Sequence, residues 1–202
     1  MALNGKQSQV GPRLGEVVEA TTTEFTTQCY RLYEAPPLGS LVRSGDANPI
    51  YGIVYEVATR SMDPARHPIP RGGDEDTEEE VYLNNPQLNR LLLTEFKSMV
   101  VGYQSDGGLR RYLAPLPLRI HSFVYQCEGE ELREFSDSLD FLPIILSAPI
   151  SAQDDVIASF LRQASESHPD PQRFMIGAGK ELAVYFAGQL QRLNNVLRRL
   201  SP

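Results

Sequence analysis

The chain has 202 residues, an apolar share of 41% and a formal net charge of −7. This length suits one substantial domain or two small ones, and the acidic balance excludes broad electrostatic attraction to nucleic acid or anionic lipid. Cys29 and Cys127 are the only cysteines, too few for a disulfide scaffold and typical of buried small hydrophobes.

Residues 1–12 are polar, contain Gly and Pro, and read as a flexible leader. They hold no apolar run that would serve as a signal-peptide core. No later window approaches the roughly 20 apolar residues of a spanning helix, so the expectation is a cytoplasmic protein without membrane insertion. Four runs rich in Val, Ile, Thr, Tyr and Phe follow: Leu14–Ala20, Phe25–Tyr33, Leu41–Arg43 and Tyr51–Ala58. Such residues suit a pleated, half-buried surface. The segments between them, Glu34–Gly39 and Ser44–Pro49, carry the Pro, Gly, Asn and Asp that turns require.

An insertion at 60–95 interrupts the strands. Its first part holds Pro64, Pro68, Pro70, Gly72 and Gly73, then the acidic stretch Asp74, Glu75, Asp76, Thr77, Glu78, Glu79 and Glu80. A long irregular excursion of this kind is a functional loop or a disordered insertion, and its mutually repelling carboxylates favour solvent. Asn85-Pro86-Gln87 reads as a helix start with proline at the first helical position, leading through Leu88, Leu91 and Leu92 to about Glu95. Strand character returns at Met99–Tyr103 and Ile120–Gln126, separated by a turn at Asp106-Gly107-Gly108 and by Pro115 and Pro117, which suit an edge or an extended approach.

After Cys127 the pattern becomes helical. Glu130–Phe135 is a short turn of helix and Leu142–Leu146 an apolar connector. Ser151-Ala-Gln-Asp154 resembles a capping box with Asp in place of Glu, ahead of a helix with Val156, Ile157, Phe160, Leu161 and Ala164 on one face. Asp170-Pro171 opens the last helix. In it Leu182, Phe186, Leu190, Leu193, Leu197 and Leu200 recur every three or four residues, a heptad-like seam suited to pairing with another helix. That partner is either the preceding helix or another subunit.

Nothing in the sequence assembles a catalytic constellation. Gly177-Ala-Gly-Lys180-Glu181 lacks the first glycine and the hydroxyl of a phosphate loop, and Glu181 would set negative charge beside a phosphate. His67, His121 and His168 are scattered without metal-ligand spacing. No G-x-S-x-G elbow occurs. The expectation is therefore a non-enzyme with no cofactor and no metal. One pattern points elsewhere: Tyr30, Tyr33, Tyr51 and Tyr55 lie in strands near Arg31, Arg43 and Arg60, as in barrels that bind single strands. Neighbouring glutamates offset those arginines, leaving nucleic acid as the alternative.

Gly15-Glu-Val-Val18, the Phe25–Tyr33 strand, Pro37-Leu-Gly-Ser-Leu-Val42 and Tyr51-Gly-Ile-Val54 together resemble the HAS-barrel domain, the small β-barrel at the N-terminus of HerA-type DNA-translocating ATPases and of the ATP synthase α and β subunits. The resemblance spans roughly 14–127 and most closely fits free-standing barrel-plus-helices proteins of bacteria, particularly cyanobacteria. It implies a mainly β, small closed barrel of six or so antiparallel strands over 13–127, followed by a C-terminal α-helical subdomain over 128–202. In those families the barrel is a non-catalytic collar that joins subunits and docks partners. This chain lacks the ATPase domain, so translocation and nucleotide hydrolysis do not transfer. What transfers is an adaptor or scaffold for protein partners, such as a HerA-like ATPase or a nuclease, or for further copies of itself. The surfaces expected to bind are the loop with Pro36, Pro37 and Gly39, the acidic residues Asp74, Glu75 and Asp76, and the seam with Phe186, Leu190, Leu193 and Leu197.

Overall fold

The computed structural model describes residues 11–45 and 47–200; most of the polar leader lies outside them. Strands β1 (Arg13–Ala20), β2 (Glu24–Cys29), β3 (Leu41–Ser44) and β4 (Ile50–Ser61) precede the excursion. Helices α1 (Glu78–Asn84) and α2 (Leu88–Leu91) lie within it, and β5 (Leu92–Ser105), β6 (Gly108–Arg110) and β7 (Phe123–Gln126) follow. All pairings are antiparallel. β1 bonds to β2 and β7, β7 to β3, β3 to β4, β4 to β5, and β5 back to β2. The sheet thus closes on itself as a roughly barrel-like ring of six strands in the order β1-β2-β5-β4-β3-β7, and β6 folds back on β5 outside it.

Alternation along the strands sorts side chains to the two faces of this ring. Val17, Phe25, Val42, Val54, Phe96, Val100 and Val124 point inward and form one apolar cluster. Leu41, Tyr51, Ile53, Met99 and Val101 belong to a second cluster, outside β3, β4 and β5. Those three strands are apolar on both faces, so something must cover them. The cover is α3 (Gly129–Ser136), α4 (Leu142–Ser147) and α5 (Gln153–Ser167), followed by α6 (Pro171–Tyr185) and α7 (Leu190–Leu200). Phe135, Phe141 and Phe160 stack in sequence with ring centroids 5.4 and 5.1 Å apart, each almost wholly buried. The sheet and the helices therefore share one core.

Two glycines set the closest approaches. Gly39 has φ +81°, which favours glycine, and a Cβ there would lie 2.6 Å from the Phe160 amide nitrogen of α5. Gly52 leaves room inside the ring for the Phe25 ring, 2.6 Å from where its Cβ would stand. Cys29 and Cys127 are free and buried, as composition indicates. Burial pushes the Cys29 thiol up to about 11 and the Cys127 thiol well above its ordinary value.

Several boundaries differ from the sequence reading. The Phe25–Tyr33 strand stops at Cys29, because the chain turns through Tyr33 at φ +66°. Leu92–Glu95, expected as the end of a helix, is instead the start of β5, its backbone paired with β4 as far as Ser61↔Leu92. The excursion proper is therefore 62–91. Asn85 does not open α2; its side-chain amide donates to the Val81 carbonyl and closes α1. The acidic stretch is partly folded: Thr77 and Glu80 form a capping box at the head of α1, and Glu75 accepts from Asn84 at 2.9 Å. Ile120 and His121 precede β7 in a turn.

In the helical part, Leu142–Ser147 is a helix in its own right. Ser151 does not cap α5, which starts from Ala152 without a side-chain cap; Asp154, the residue that would complete the box, is held by Arg192 at 2.8 Å. Asp170 caps α6 as expected, accepting from the Arg173 amide at 2.9 Å. The long last helix is two helices. Phe186 ends α6, and Gly188 at φ +83° turns the chain, a common helix stop. α7 then lies back on α5, where Arg199 pairs with Asp155 at 2.7 Å.

Because the helices and the ring share a core, Phe141→Ala should cost about 3–5 kcal/mol and lower the urea midpoint. Helical and sheet signals should fall in one transition. Two separated transitions would contradict the shared core.

Candidate partner-binding face

The helices cover β3, β4 and β5; the second cluster contains no residue of β1 or β2. The outer face of β1, β2 and β7 is therefore the side of the ring that carries solvent-facing chemistry. Arg13 opens β1, Tyr30 follows β2 and Phe123 opens β7. Register brings them together: Gly15 pairs with Cys29 on one side and with Val124 on the other. The Arg13 guanidinium lies over both rings, 5.1 Å from the Tyr30 centroid and 4.8 Å from that of Phe123. Each contact contributes about 0.5–1 kcal/mol at an exposed site. Tyr30 and Phe123 remain 48% and 42% exposed, unlike ring-facing aromatics such as Phe25.

Glu16 ties this group together. Its Oε1 accepts from the Tyr30 hydroxyl at 2.9 Å, and its Oε2 lies 2.9 Å from His121 Nδ1. The bond to His121, then that to Tyr30, hold the Glu16 carboxyl below the usual carboxylate range. His121 reaches it from a left-handed backbone at φ +68°. Its amide donates to Val17 O at 2.8 Å, and the Val17 amide donates to Ser122 O at 3.0 Å. The β1 bulge between Val17 and Glu19 lies at this corner, where a bulge bends the strand and re-aims its side chains.

Beside the stack is a depression of about 580 Å³ lined by Arg13, Tyr30, Arg31, Glu34, Pro36 and Pro37. Arg31 pairs with Glu34 at 3.3 Å in an exposed contact. Arg13 is exposed, and among the described residues it has no carboxylate within ion-pair distance. The face offers two aromatic rings, an arginine fork, and a carboxylate bonded to a phenol and an imidazole.

The residues expected to bind divide among several places. Pro37 is exposed and Pro36 buried, both on the wall of this depression, whereas Gly39 is buried against α5. Asp74 and Asp76 are exposed and Glu75 partly so, on the excursion. Phe186 is 1% exposed, Leu193 and Leu197 are half-buried against the core, and Leu190 is 72% exposed. The structure therefore turns most of the seam inward on α5 and does not join these three surfaces. Of the strand tyrosines, Tyr51 is buried, Tyr55 donates to Glu24 at 2.5 Å, and the Tyr33 hydroxyl meets that of Tyr82 on α1. Arg43 Nε lies 2.8 Å from Glu131, and Arg60 lies 2.7 Å from Glu95.

Sequence reasoning missed Arg13 and Phe123. The signal available was the outward position of each beside Tyr30, legible only once β1, β2 and β7 are known to adjoin. It also treated His168 as isolated, but the fold sets His168 Nε2 2.8 Å from Ser136 Oγ. The Ser136 hydroxyl donates to Arg133 O at 3.1 Å, which leaves the imidazole as donor to the serine oxygen. Burial lowers the His168 pKa, and its ring stacks on Phe174 at 4.1 Å. With Ser136 only 2% exposed, this pair ties α3 to the α5–α6 corner. A separate cleft of about 830 Å³ lies between Tyr55, Met99, Leu113 and the Ile144–Ala152 segment. Among the described residues no three His, Cys, Asp or Glu side chains gather as metal ligands, and no helix is long and apolar enough to cross a membrane.

No protein-family model matches the chain, and no curated protein matches it.

The Glu16 geometry predicts its own titration. A carboxyl whose folded pKa is depressed contributes stability above its unfolded pKa and loses it as pH falls through the folded value. His121→Ala should therefore move the Glu16 midpoint up toward the ordinary carboxylate range, read by carboxyl-carbon NMR. An unmoved midpoint would mean that His121 does not hold Glu16 in solution.

Proposed function

We propose that this chain is a non-enzymatic protein-binding module, a barrel of the HAS type that acts as an adaptor or scaffold for a larger complex such as one built on a HerA-like ATPase or a nuclease. The reading rests on one observation: the Tyr30–Arg13–Phe123 stack, exposed and held on three strands of a closed ring. Tyr, Phe and Arg are the residues enriched at the cores of protein interfaces. Their positions here are fixed before binding, by the Glu16 bonds and by strand register. Preorganisation reduces the ordering cost of association. Arg13 is suited to a partner carboxylate, and Pro36 and Pro37 give the adjacent depression a rigid wall.

The same stack supports one rival. Exposed rings beside an arginine also serve as platforms for single-stranded nucleic acid. The surrounding charge argues against it: Glu16 sits between the rings' strands, Glu34 neutralises Arg31, and the chain carries −7 overall.

Tyr30→Ala and Arg13→Ala, each checked for an unchanged circular dichroism spectrum, should release proteins that co-purify with the wild-type chain. Each truncation of such a centre costs about 2 kcal/mol or more, roughly 30-fold in affinity. Retention of the same proteins by both variants would show that this face does not bind them. A labelled single-stranded oligonucleotide separates the rival reading: binding at low salt that falls steeply as salt rises, and is lost in both variants, would replace the adaptor assignment with a nucleic-acid one.

A further inference from the structure

β4 is longer than the strand that flanks it. β3 pairs with it only from Ile50 to Ile53. The next contacts on that side are the Val54 amide to Ser40 O at 3.0 Å and the Gly39 amide to Val54 O at 2.8 Å. Beyond the bulge between Val54 and Glu56, β4 stays paired with β5 as far as Ser61↔Leu92. Its other edge, from Val57 to Ser61, has no backbone partner among the described residues. An unpaired strand edge is a template for another strand, and proteins blunt such edges with proline, charged side chains, bulges or a cover. Here the bulge lies before the open stretch, 55–61 reads Tyr-Glu-Val-Ala-Thr-Arg-Ser without proline, Val57 is 45% exposed, and Thr59 and Arg60 are exposed; the charges present, Glu56 and Arg60, are one of each sign.

The two charges on this edge choose the occupant. In an antiparallel pair of identical strands about a two-fold axis, a residue and its opposite number lie at equal distances from the axis. An axis at Ala58 sets Glu56 opposite Arg60 of a second copy, twice by symmetry, and Val57 opposite Thr59. An axis at Glu56 or at Arg60 sets like charge on like charge, and one at Val57 or Thr59 leaves both charges facing uncharged residues. Directly opposed unlike charges stabilise a strand pair and like charges destabilise it. Both side chains have room for a second contact. Glu56 is 51% and Arg60 63% exposed, Lys97 reaches Glu56 only at 3.5 Å, and Arg60 meets Glu95 through one terminal nitrogen.

We infer that the free edge of β4 is a self-association surface, pairing antiparallel with the same edge of a second copy about a two-fold axis at Ala58. No residue from Val57 to Ser61 belongs to the Arg13–Tyr30–Phe123 stack or lines the depression beside it, so different substitutions test the two surfaces. The paired stretch is short, so the dimer depends on concentration.

Sedimentation equilibrium on the full chain should show a monomer–dimer equilibrium. Glu56→Arg and Arg60→Glu should each weaken it at least tenfold, and an equimolar mixture of the two should re-form a dimer, because each copy then supplies the charge the other lacks. Since Arg60→Glu also removes a partner of the buried Glu95, a second variant avoids that ion pair. Ala58→Cys places thiols on the axis, where facing Cα atoms are about 4.5–5.5 Å apart, within disulfide reach. Buried Cys29 and Cys127 do not compete. Mild oxidation should give a covalent dimer faster than for Asn48→Cys, an exposed control outside this edge. A wild-type chain that stays monomeric at every concentration, a mixture that associates no better than its components, or Ala58→Cys cross-linking no faster than the control would each overturn the assignment.

Discussion

The backbone bonds that β2 shares with β1 on one side and β5 on the other close the sheet, and the rest of the molecule depends on that closure. β1 and β2 come before the proline-and-acid excursion, and β5 comes after it. Their pairing spans more than sixty positions of chain, from Glu24↔Met99 to Gln28↔Glu95. Such long-range pairing bears a loop-closure cost that grows only slowly with loop length. Once formed, it satisfies the backbone groups that an open sheet would leave on two edges. The excursion is then a loop inserted between two strands that are themselves neighbours, tied down by the Tyr33–Tyr82 contact and by the Met62 amide donating to Leu91 O at 2.8 Å.

Closure also explains why the two halves of the ring differ. β3, β4 and β5 carry apolar side chains on both faces, so their outer face is stable only under cover. Leu41, Ile53, Met99 and Val101 meet Phe135, Phe141, Ile157 and Phe160 there. The positive φ of Gly39 allows the chain to pass within a van der Waals contact of α5, and Gln163 fastens the same loop through Ser40 and Leu38 O at 2.8 and 2.9 Å. Helix coverage and loop conformation are one constraint seen from two sides. The half of the ring that needs no cover is left to carry Arg13, Tyr30 and Phe123.

Strand identity was legible where the residues are β-branched and both faces are buried, as at Leu41–Arg43 and Tyr51–Val54. Strand ends were not, because they are set by partners. Leu92–Glu95 has the leucine spacing of a helix, yet β4 offers an open ladder beside it and the pairing outweighs local propensity. The break at Gly188 was marked by its glycine, but the leucine repeat across it reads as continuous because α6 and α7 both bury their apolar faces in the same core. The capping box at Thr77 and Glu80 was fully present in the sequence and was obscured by the surrounding acids. The candidate face was the least legible part. Tyr30 alone is one tyrosine among several; it becomes informative when the ring brings Arg13, Glu16, His121 and Phe123 around it from β1, β7 and the turn before β7.

Rigidity joins these features. Residues on strands locked into a ring have little freedom to rearrange, so a side chain exposed there is held in the geometry already present. The exposed stack pays its ordering cost during folding, when register sets Gly15 between Cys29 and Val124. The same closure that fixes the stack stops short along β4, because β3 begins only at Leu41, opposite Ile53, while antiparallel β4 runs on past its bulge to Ser61. A ring built from strands of unequal length cannot hide every edge. The unequal lengths of β3 and β4 therefore leave the Val57–Ser61 edge of β4 without a backbone partner among the described residues.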